Sequence, residues 1–211
     1  MKKLLVIGAG GHGKVVADTA QACGTWQSIG LLDDRFPELR QAGAWKVVGT
    51  GRDWQAYLPD DVDLLVGIGD NQTRLRLQTE LVAAGYTLPV LVHPHAWVSP
   101  DAQVEAGTVI FAGGVVNAGA LIGEAAIINT AATVDHDCSV GAGVHLSPGV
   151  HLGGNVTVGR CSWLGIGAVV RHGLKIGAEV MVGAGAAVVA ELPDGVTAVG
   201  VPARLQMNPG T

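Results

Sequence analysis

VDHDCS VGAGVH LSPGVH LGGNVT VGRCSW, residues 134–163, falls into five lines of six, each opening on Val or Leu. Extending the step of six in both directions gives Val98, Val104, Ile110, Val116, Ile122, Ile128, Val134, Val140, Leu146, Leu152, Val158, Leu164, Val170, Ile176, Val182 and Val188, all aliphatic. With aliphatic residues at roughly a third of positions, chance does not produce that run. Gly often follows directly, as at Gly123, Gly141, Gly153, Gly159, Gly165, Gly177 and Gly183. A small residue or Val tends to sit four places on, as at Thr108, Ala120, Ala126, Val144, Val150 and Val156. A hexapeptide repeat of this kind predicts a parallel β-helix: three hexapeptides per triangular coil, the aliphatic pointing inward, small residues turning the corners. Each coil covers the edge of the next, so the stack is stable only as a whole. Sixteen repeats make a little over five coils, with no register break and so no extruded loop from 98 to 188.

Ahead of the repeat the pattern differs. KKLLVI (2–7) reads as a buried parallel strand, GAGGHG (8–13) as a Gly-rich turn, and KVVADTAQACG (14–24) as a helix with Gly24 at its C-cap. SIGLLDD (28–34) and DLLVGIGD (63–70) are further strands, NQTRLRLQTELVAAGY (71–86) a second helix, and LPVLVH (88–93) one more strand. This order predicts a small Rossmann-like α/β domain with a short parallel sheet over 1–93, followed by the β-helix and a C-terminal tail over 94–211.

Bulk composition narrows the function classes. The 211 residues carry a formal net charge of −5 without a basic stripe, which argues against a nucleic-acid partner. Charged residues are 15% of the chain, against about 25% in ordinary domains. Low charge, 32 glycines and 48% hydrophobic residues predict burial against copies of itself, a homo-oligomer. Cys23, Cys138 and Cys161 are odd in number and far apart, with no C-x-x-C, so neither a disulfide framework nor a structural zinc is expected, and a reducing cytoplasm is. The start, MKKLLVIGAGGHGKVV, has an apolar core too short and Gly-broken for a signal peptide, and no uninterrupted apolar stretch reaches membrane-span length.

Several motifs together resemble one family: GAGGHG (8–13), LLDD (31–34), GIGDN (67–71), NTAATVDHDCSVGAGVHLSPG (129–149) and GVPAR (200–204). The chain resembles, over nearly its whole length, the sialic acid O-acetyltransferase and nucleotide-amino-sugar N-acetyltransferase family of left-handed β-helix acyltransferases. The resemblance implies the left hand of the coil, an exception to the usual right-handed crossover. It also implies a homotrimer with active sites in the grooves between subunits, acetyl-CoA as co-substrate and no metal.

Two readings of the cluster VDHDCS compete: a solvated polar corner, or a catalytic base with its orienter. The resemblance implies the second. His136, two places after inward Val134, projects outward and would accept a proton from an attacking amine or hydroxyl. Asp137 would hold its tautomer and stabilise the imidazolium. Asp135 is expected to be a solvated neighbour, and Cys138 structural. Asn129 and Thr130, one repeat earlier, would position the sugar. The resemblance further implies acyl-donor contacts at His145, a thioester-oxygen donor in the Gly154 N–H, backbone lining of the pantetheine arm by Ile166 and Ala184, and an adenine and phosphate end at Pro202 and Arg204, with Lys175 nearby.

Gly8, Gly10 and Gly13 form a G-x-G-x-x-G after a strand, with Asp33 twenty residues beyond Gly13. Motif logic alone spells dinucleotide binding. The domain is short and has no second mononucleotide half, so the expected ligand is one nucleotide diphosphate of a sugar nucleotide. Gly10 and His12 would hold it, Asp33 and Asp34 would bind ribose or base, and Gly69, Asp70 and Asn71 lie at the carboxyl edge of the sheet. The expected reaction is acetyl-CoA-dependent N-acetylation of a UDP- or dTDP-linked 4-amino-4,6-dideoxy sugar. The alternatives are O-acetylation of a sialic-acid-like sugar, a non-catalytic nucleotide-sugar sensor, and NAD-dependent oxidoreduction.

Overall fold

A computed structural model describes residues 2–206; Met1 and residues 207–211, the end of the expected tail, lie outside the described residues. The chain forms two compact units, one ending at Pro94 and the other beginning at His95.

The first unit is an α/β layer. Its elements are β1 (Lys3–Ile7), α1 (Gly11–Cys23), β2 (Ser28–Leu32), β3 (Gln41–Ala42), β4 (Trp45–Gly49), β5 (Val62–Val66) and α2 (Asn71–Ala83). The sheet order is β3-β4-β2-β1-β5. All pairs are parallel except the β3–β4 hairpin, which the strand patterning did not reveal. Leu5, Ile7, Leu32, Leu64 and Val66 share one buried cluster with Leu81, Leu88 and the Trp54–Tyr86 pair, whose rings meet edge to face at 5.2 Å. The segment 88–93 expected as a strand contributes only the two-residue strand Leu91–Val92. Helix α1 starts at Gly11, inside the predicted turn, and ends at Gly24 with φ 66°. Gly13 permits that early start, because a Cβ there would overlap the Gly8 carbonyl oxygen. The close turn therefore brings the first helical N–H groups up to the carboxyl edge of the sheet.

The second unit is a left-handed parallel β-helix. Sixteen two-residue strands, from Trp97–Val98 to Ala187–Val188, lie in three sheets. The first face stacks Trp97–Val98, Val115–Val116, Thr133–Val134 and on to Ala187–Val188. The second face begins at Gln103–Val104 and the third at Val109–Ile110. Fourteen of the sixteen aliphatic positions, Ile110 through Val188, are buried at 4% exposure or less. Val98 and Val104, in the first coil, are half-buried.

The corners obey a second rule that the sequence pattern hid. Every sixth residue from Gly107 to Gly185 has a positive φ: eight glycines, and the six others Ala125, Ala131, Asp137, Asn155, Cys161 and Glu179. A side chain in this left-handed conformation costs roughly 1 kcal/mol. Glycine, Asn and Asp reduce that cost, and the eight glycines at constant spacing were the available sequence signal.

Between coils a polar brace recurs. The hydroxyl of Thr108 donates to Gly123 O and accepts from Ala126 N–H, at 2.8 and 3.1 Å. Ser162 makes the same pair with Gly177 O and Val180 N–H, at 2.8 and 3.0 Å. Cys138 follows with its thiol: Sγ to Gly153 O at 3.2 Å, and Val156 N–H to Sγ at 3.4 Å. This buried brace accounts for Cys138 beside the polar corner.

The corner rule makes opposite substitutions distinguishable. Gly167 has φ 68° and open space where a Cβ would stand, so Gly167→Ala is expected to cost roughly 1 kcal/mol of stability through backbone strain alone, and so to lower the melting temperature. Ala131→Gly, at φ 54°, is expected to raise it by less, because glycine gains freedom in the unfolded chain. Thermal unfolding by circular dichroism checks both; shifts of equal sign would contradict the rule.

Candidate functional site

Two sites stand out, one in each unit. In the β-helix, His136 and Asp137 occupy the edge between the first and second faces, between strands Thr133–Val134 and Ser139–Val140. His136 Nδ1 lies 2.8 Å from Asp137 Oδ2. With the proton on Nδ1 donated to the carboxylate, Nε2 is left as the free base. Both side chains are open, at 61% and 68% exposure, so the pair faces outward as expected. The imidazole pKa is raised, first by the Asp137 hydrogen bond and then by the charge of Asp135. Asp137 reaches Nδ1 from its left-handed corner conformation, φ 58°. Gly119, one coil before, leaves room for that carboxylate: a Cβ there would come within 2.7 Å of Oδ1.

Gly154, one coil after, sits against the ring; a Cβ at 154 would overlap His136 Nε2. Its absence of side chain thus has a first use in seating the imidazole. The Gly154 N–H makes no hydrogen bond among the described residues, whereas its carbonyl accepts from Gly173 N–H at 2.9 Å. Asp135 is not the solvated neighbour expected. It is half-buried, and its Oδ1 accepts from the His136 N–H at 2.8 Å and from Asn117 Nδ2 at 3.0 Å. The step of eighteen sets 117 and 135 in one column, but only the side-chain geometry shows that they bond.

His145 is elsewhere on the prism. It lies in the strand His145–Leu146 of the third face and is 8% exposed. Its ring stacks on Trp163, one coil on, with centroids 5.4 Å apart and planes 11° apart. Its Nε2 is 3.1 Å from Asn129 Nδ2, and the Trp163 indole N–H donates to Ser147 Oγ at 2.7 Å. Asn129 Oδ1 accepts from Thr130 N–H at 2.8 Å. Asn129 and Thr130 therefore belong with His145, not with His136. Thr130, Ile166 and Ala184 fall on one column, each two residues after the inward residue at the edge between third and first faces. Pro202 follows the strand Thr197–Val199, and Arg204 begins the strand Arg204–Leu205 that pairs antiparallel with it; both residues are exposed. In a three-sided coil the His136 edge lies opposite the third face. One chain therefore carries the two halves of the expected site on opposite sides, and Gly154 goes with the His136 half.

In the α/β unit, Gly10, His12, Asp33, Asp34 and Gly69 all line one cleft of about 380 Å³ at the carboxyl edge of the sheet. Gly10 and Gly69 have open space where a Cβ would stand, leaving bare backbone to a ligand. The start of α1 offers N–H groups without intrahelical acceptors, an anion-binding arrangement. His12 is pushed down to about 4, by burial first and then by the charge of Arg74, and stays neutral at physiological pH. Arg74, 2% exposed and not singled out by the sequence, donates to the carbonyls of Ile68 and Gly69 at 3.1 and 2.9 Å and shapes that wall.

Two expectations for this cleft change. Asp33 accepts from the Ala9 N–H at 2.9 Å and from the Arg35 guanidinium at 2.7 and 2.9 Å. The Arg35 contact, ahead of the amide, holds its carboxyl well below the usual range. Asp33 thus braces the glycine loop, and Asp34, also on the cleft wall and exposed, accepts from Gly51 N–H with its Oδ1 at 2.9 Å. Asn71 is 7% exposed and outside the cleft wall; its Oδ1 accepts from Arg74 at 2.8 Å. Asp70 is the N-cap of α2, accepting from Thr73 N–H at 2.8 Å. Among the described residues no cluster of His, Cys, Asp or Glu could hold a metal ion, and no helix is long and apolar enough to cross a membrane.

The family model described as PglD N-terminal domain matches residues 3–81. A Bacillus subtilis protein named UDP-N-acetylbacillosamine N-acetyltransferase is 38% identical over 104 residues, 47% of this chain; the match spans only 46% of that protein. The acetyltransferase domain of PglB from Neisseria gonorrhoeae is 45% identical, with a TM-score of 0.95 over 98% of this chain and 100% of that one; it has also been solved with acetyl coenzyme A. PerB from Caulobacter crescentus, solved with CoA and GDP-perosamine, is 40% identical, with a TM-score of 0.92 over 98% of each chain. With the same two units in the same order as these relatives, the chain belongs to the sialic acid O-acetyltransferase and nucleotide-amino-sugar N-acetyltransferase family of left-handed β-helix acyltransferases.

Proposed function

We propose that this protein transfers the acetyl group of acetyl-CoA to the amino group of a nucleotide-linked sugar, a UDP- or dTDP-linked 4-amino-4,6-dideoxy sugar. The observation that carries this reading is the oriented pair His136–Asp137, with Nδ1 tied to the carboxylate and Nε2 open. The sugar's amine attacks the thioester carbonyl while His136 Nε2 takes its proton. Asp137 stabilises the resulting imidazolium and keeps the ring in the useful tautomer. The tetrahedral oxyanion is met by the Gly154 N–H, a preorganised donor of the kind worth roughly 3 kcal/mol. Collapse breaks the C–S bond, the CoA thiolate leaves, and the imidazolium proton restores the thiol. No covalent acyl-enzyme is required, in keeping with the structural role of Cys138.

The cleft beside α1 takes the nucleotide diphosphate: bare glycine backbone and helix N–H groups receive the phosphates, and Asp34 meets the ribose or base. The pantetheine arm runs along the column of Ile166 and Ala184, with Pro202 and Arg204 at its nucleotide end. His136 and His145 lie on opposite sides of one prism, which supports a shared site: the His136 edge of one copy against the third face of the next. A closed ring of three such contacts is a homotrimer.

Three outcomes test the reading. His136→Ala is expected to lower kcat with UDP- or dTDP-4-amino sugars by roughly 10²–10⁴-fold while nucleotide affinity stays within error; steady-state assay and calorimetry decide. Because only the neutral imidazole is a base and its pKa is raised, the acidic limb of kcat/KM is expected above the ordinary histidine value of 6.5. Activity is then lost as pH falls through that limb, and a limb below 6.5 would contradict the assignment. Finally, His136→Ala and His145→Ala chains, each impaired alone, are expected to regain activity when co-assembled, since some interfaces then hold both wild-type halves. Mixed assemblies as inactive as their parents would place both halves on one chain.

A further inference from the structure

The carboxylate of Asp135 does more than its corner requires. In the β-helix corners the N–H two places after the inward residue, absent where that residue is Pro100 or Pro148, lies outside the coil-to-coil ladder. Four corners satisfy it from the residue before or from a neighbouring coil: Thr130 N–H goes to Asn129 Oδ1 at 2.8 Å, Glu124 N–H to Glu105 Oε2 at 3.0 Å, His136 N–H to Asp135 Oδ1 at 2.8 Å and Ala178 N–H to Asp194 Oδ1 at 2.8 Å. At residue 129 the neutral amide of Asn does the same local job as Asp135. A negative charge at 135 is therefore surplus to capping.

That surplus charge is also held in place from the preceding coil. Asn117 occupies the same column as Asp135, and its Nδ2 donates to the same Oδ1 at 3.0 Å. On the other side the column continues with Gly153, where a Cβ would lie 2.8 Å from His172 N, and only then with Arg171. The following coil thus offers no side chain that would pull the carboxylate away. The groups facing His136 are few. Its own corner supplies Asp135 and Asp137. The corner before supplies Asn117, Ala118 and Gly119, and the corner after supplies Gly154 and Asn155, all uncharged. Asp101 on one side, and Arg171 and His172 on the other, stand a further coil away. Asp137 bonds the ring directly, and Asp135 alone acts on it without touching it.

We propose that Asn117 and Asp135 form a positioning device for His136, in which Asn117 pins the Asp135 carboxylate, and that carboxylate fixes the histidine backbone and holds a second negative charge beside the imidazole. The inference rests on His136 being the base. A charge so placed favours the imidazolium formed as the amine attacks, so it strengthens the base without contacting substrate.

The separation of hold from charge gives the test. Asp135→Asn keeps an acceptor for the His136 N–H and for Asn117 but removes the charge. Titration of the His136 ring by NMR in the intact, histidine-labelled protein is expected to move to lower pH in Asp135→Asn. The acidic limb of kcat/KM is expected to move with it, and the plateau kcat to fall roughly two- to tenfold with KM for both substrates unchanged. Asp135→Ala, which loses the hold as well, is expected to lose a further several-fold in kcat, and Asn117→Ala to fall between the two. A ring titration and pH profile in Asp135→Asn identical to wild type would overturn the proposal and leave Asp135 as a corner cap. If instead His136→Ala retained turnover, the function proposed above would fail, while the NMR titration would still report whether Asp135 tunes the ring.

Discussion

Everything in the second unit depends on one backbone constraint: every coil must hydrogen-bond to the coil eighteen residues on without slipping. Val115 pairs with Thr133, Thr133 with His151 and His151 with Val169, and the same step holds on all three faces. To turn three corners in eighteen residues, the chain adopts a left-handed backbone conformation at every corner from Gly107 to Gly185, whatever residue is there. The consequence is that side chains far apart in sequence become neighbours in fixed columns. Ala118, His136 and Gly154 form one such column, and Asn117, Asp135 and Gly153 another.

The chemistry is assembled from these columns. His136 finds its orienter in the next residue because the corner conformation folds Asp137 back toward Nδ1. It finds room for its ring because the residue above is glycine, and its orienter finds room because the residue below, Gly119, is glycine as well. A solenoid with any larger residue at 119 or 154 would keep its aliphatic interior intact and lose the arrangement of the pair. The rigid stack thus supplies preorganisation at no further cost in loop ordering.

The α/β unit reaches its site by a different constraint, the near-contact of two backbone turns. Gly8, Gly13 and Gly67 pack so closely that a side chain at any of them would strike backbone or a neighbouring core residue. That closeness brings the start of α1, the end of β2 and the loop after β5 around one cleft. Asp33 then locks the loop through Ala9 and Arg35. The acid that motif spacing assigns to a ribose is here part of the scaffold, and its neighbour Asp34 takes the exposed position. Burial first, and then the charge of Arg74 deep beneath the same wall, keep His12 neutral, so the cleft presents a histidine that does not compete as a cation.

Periodicity along the chain determined the class of fold, because an inward residue must recur at the same phase in every coil, and sixteen aliphatic residues at a step of six admit no other regular structure. It also placed His136 and Asp137 outside the prism, since two and three residues after an inward one is always a corner. The glycine loop, with its strand before and helix after, was legible for the same reason: local sequence dictates local backbone. What only the tertiary structure decided are the contacts across coils and across turns. Asp135 was read as a bystander because the step of eighteen places Asn117 in its column but does not show that their side chains bond. That Asp33, assigned by spacing to a ribose, also meets Ala9 and Arg35 emerges only once the loop has closed on the sheet. Asn129 was grouped with His136 by proximity in sequence, whereas the turn of the coil sets it beside His145 on another side of the prism. A linear pattern records the phase of each residue, but hydrogen bonds, ring stacking and charge act over a few ångströms of space, and that space is defined only when the coils are stacked.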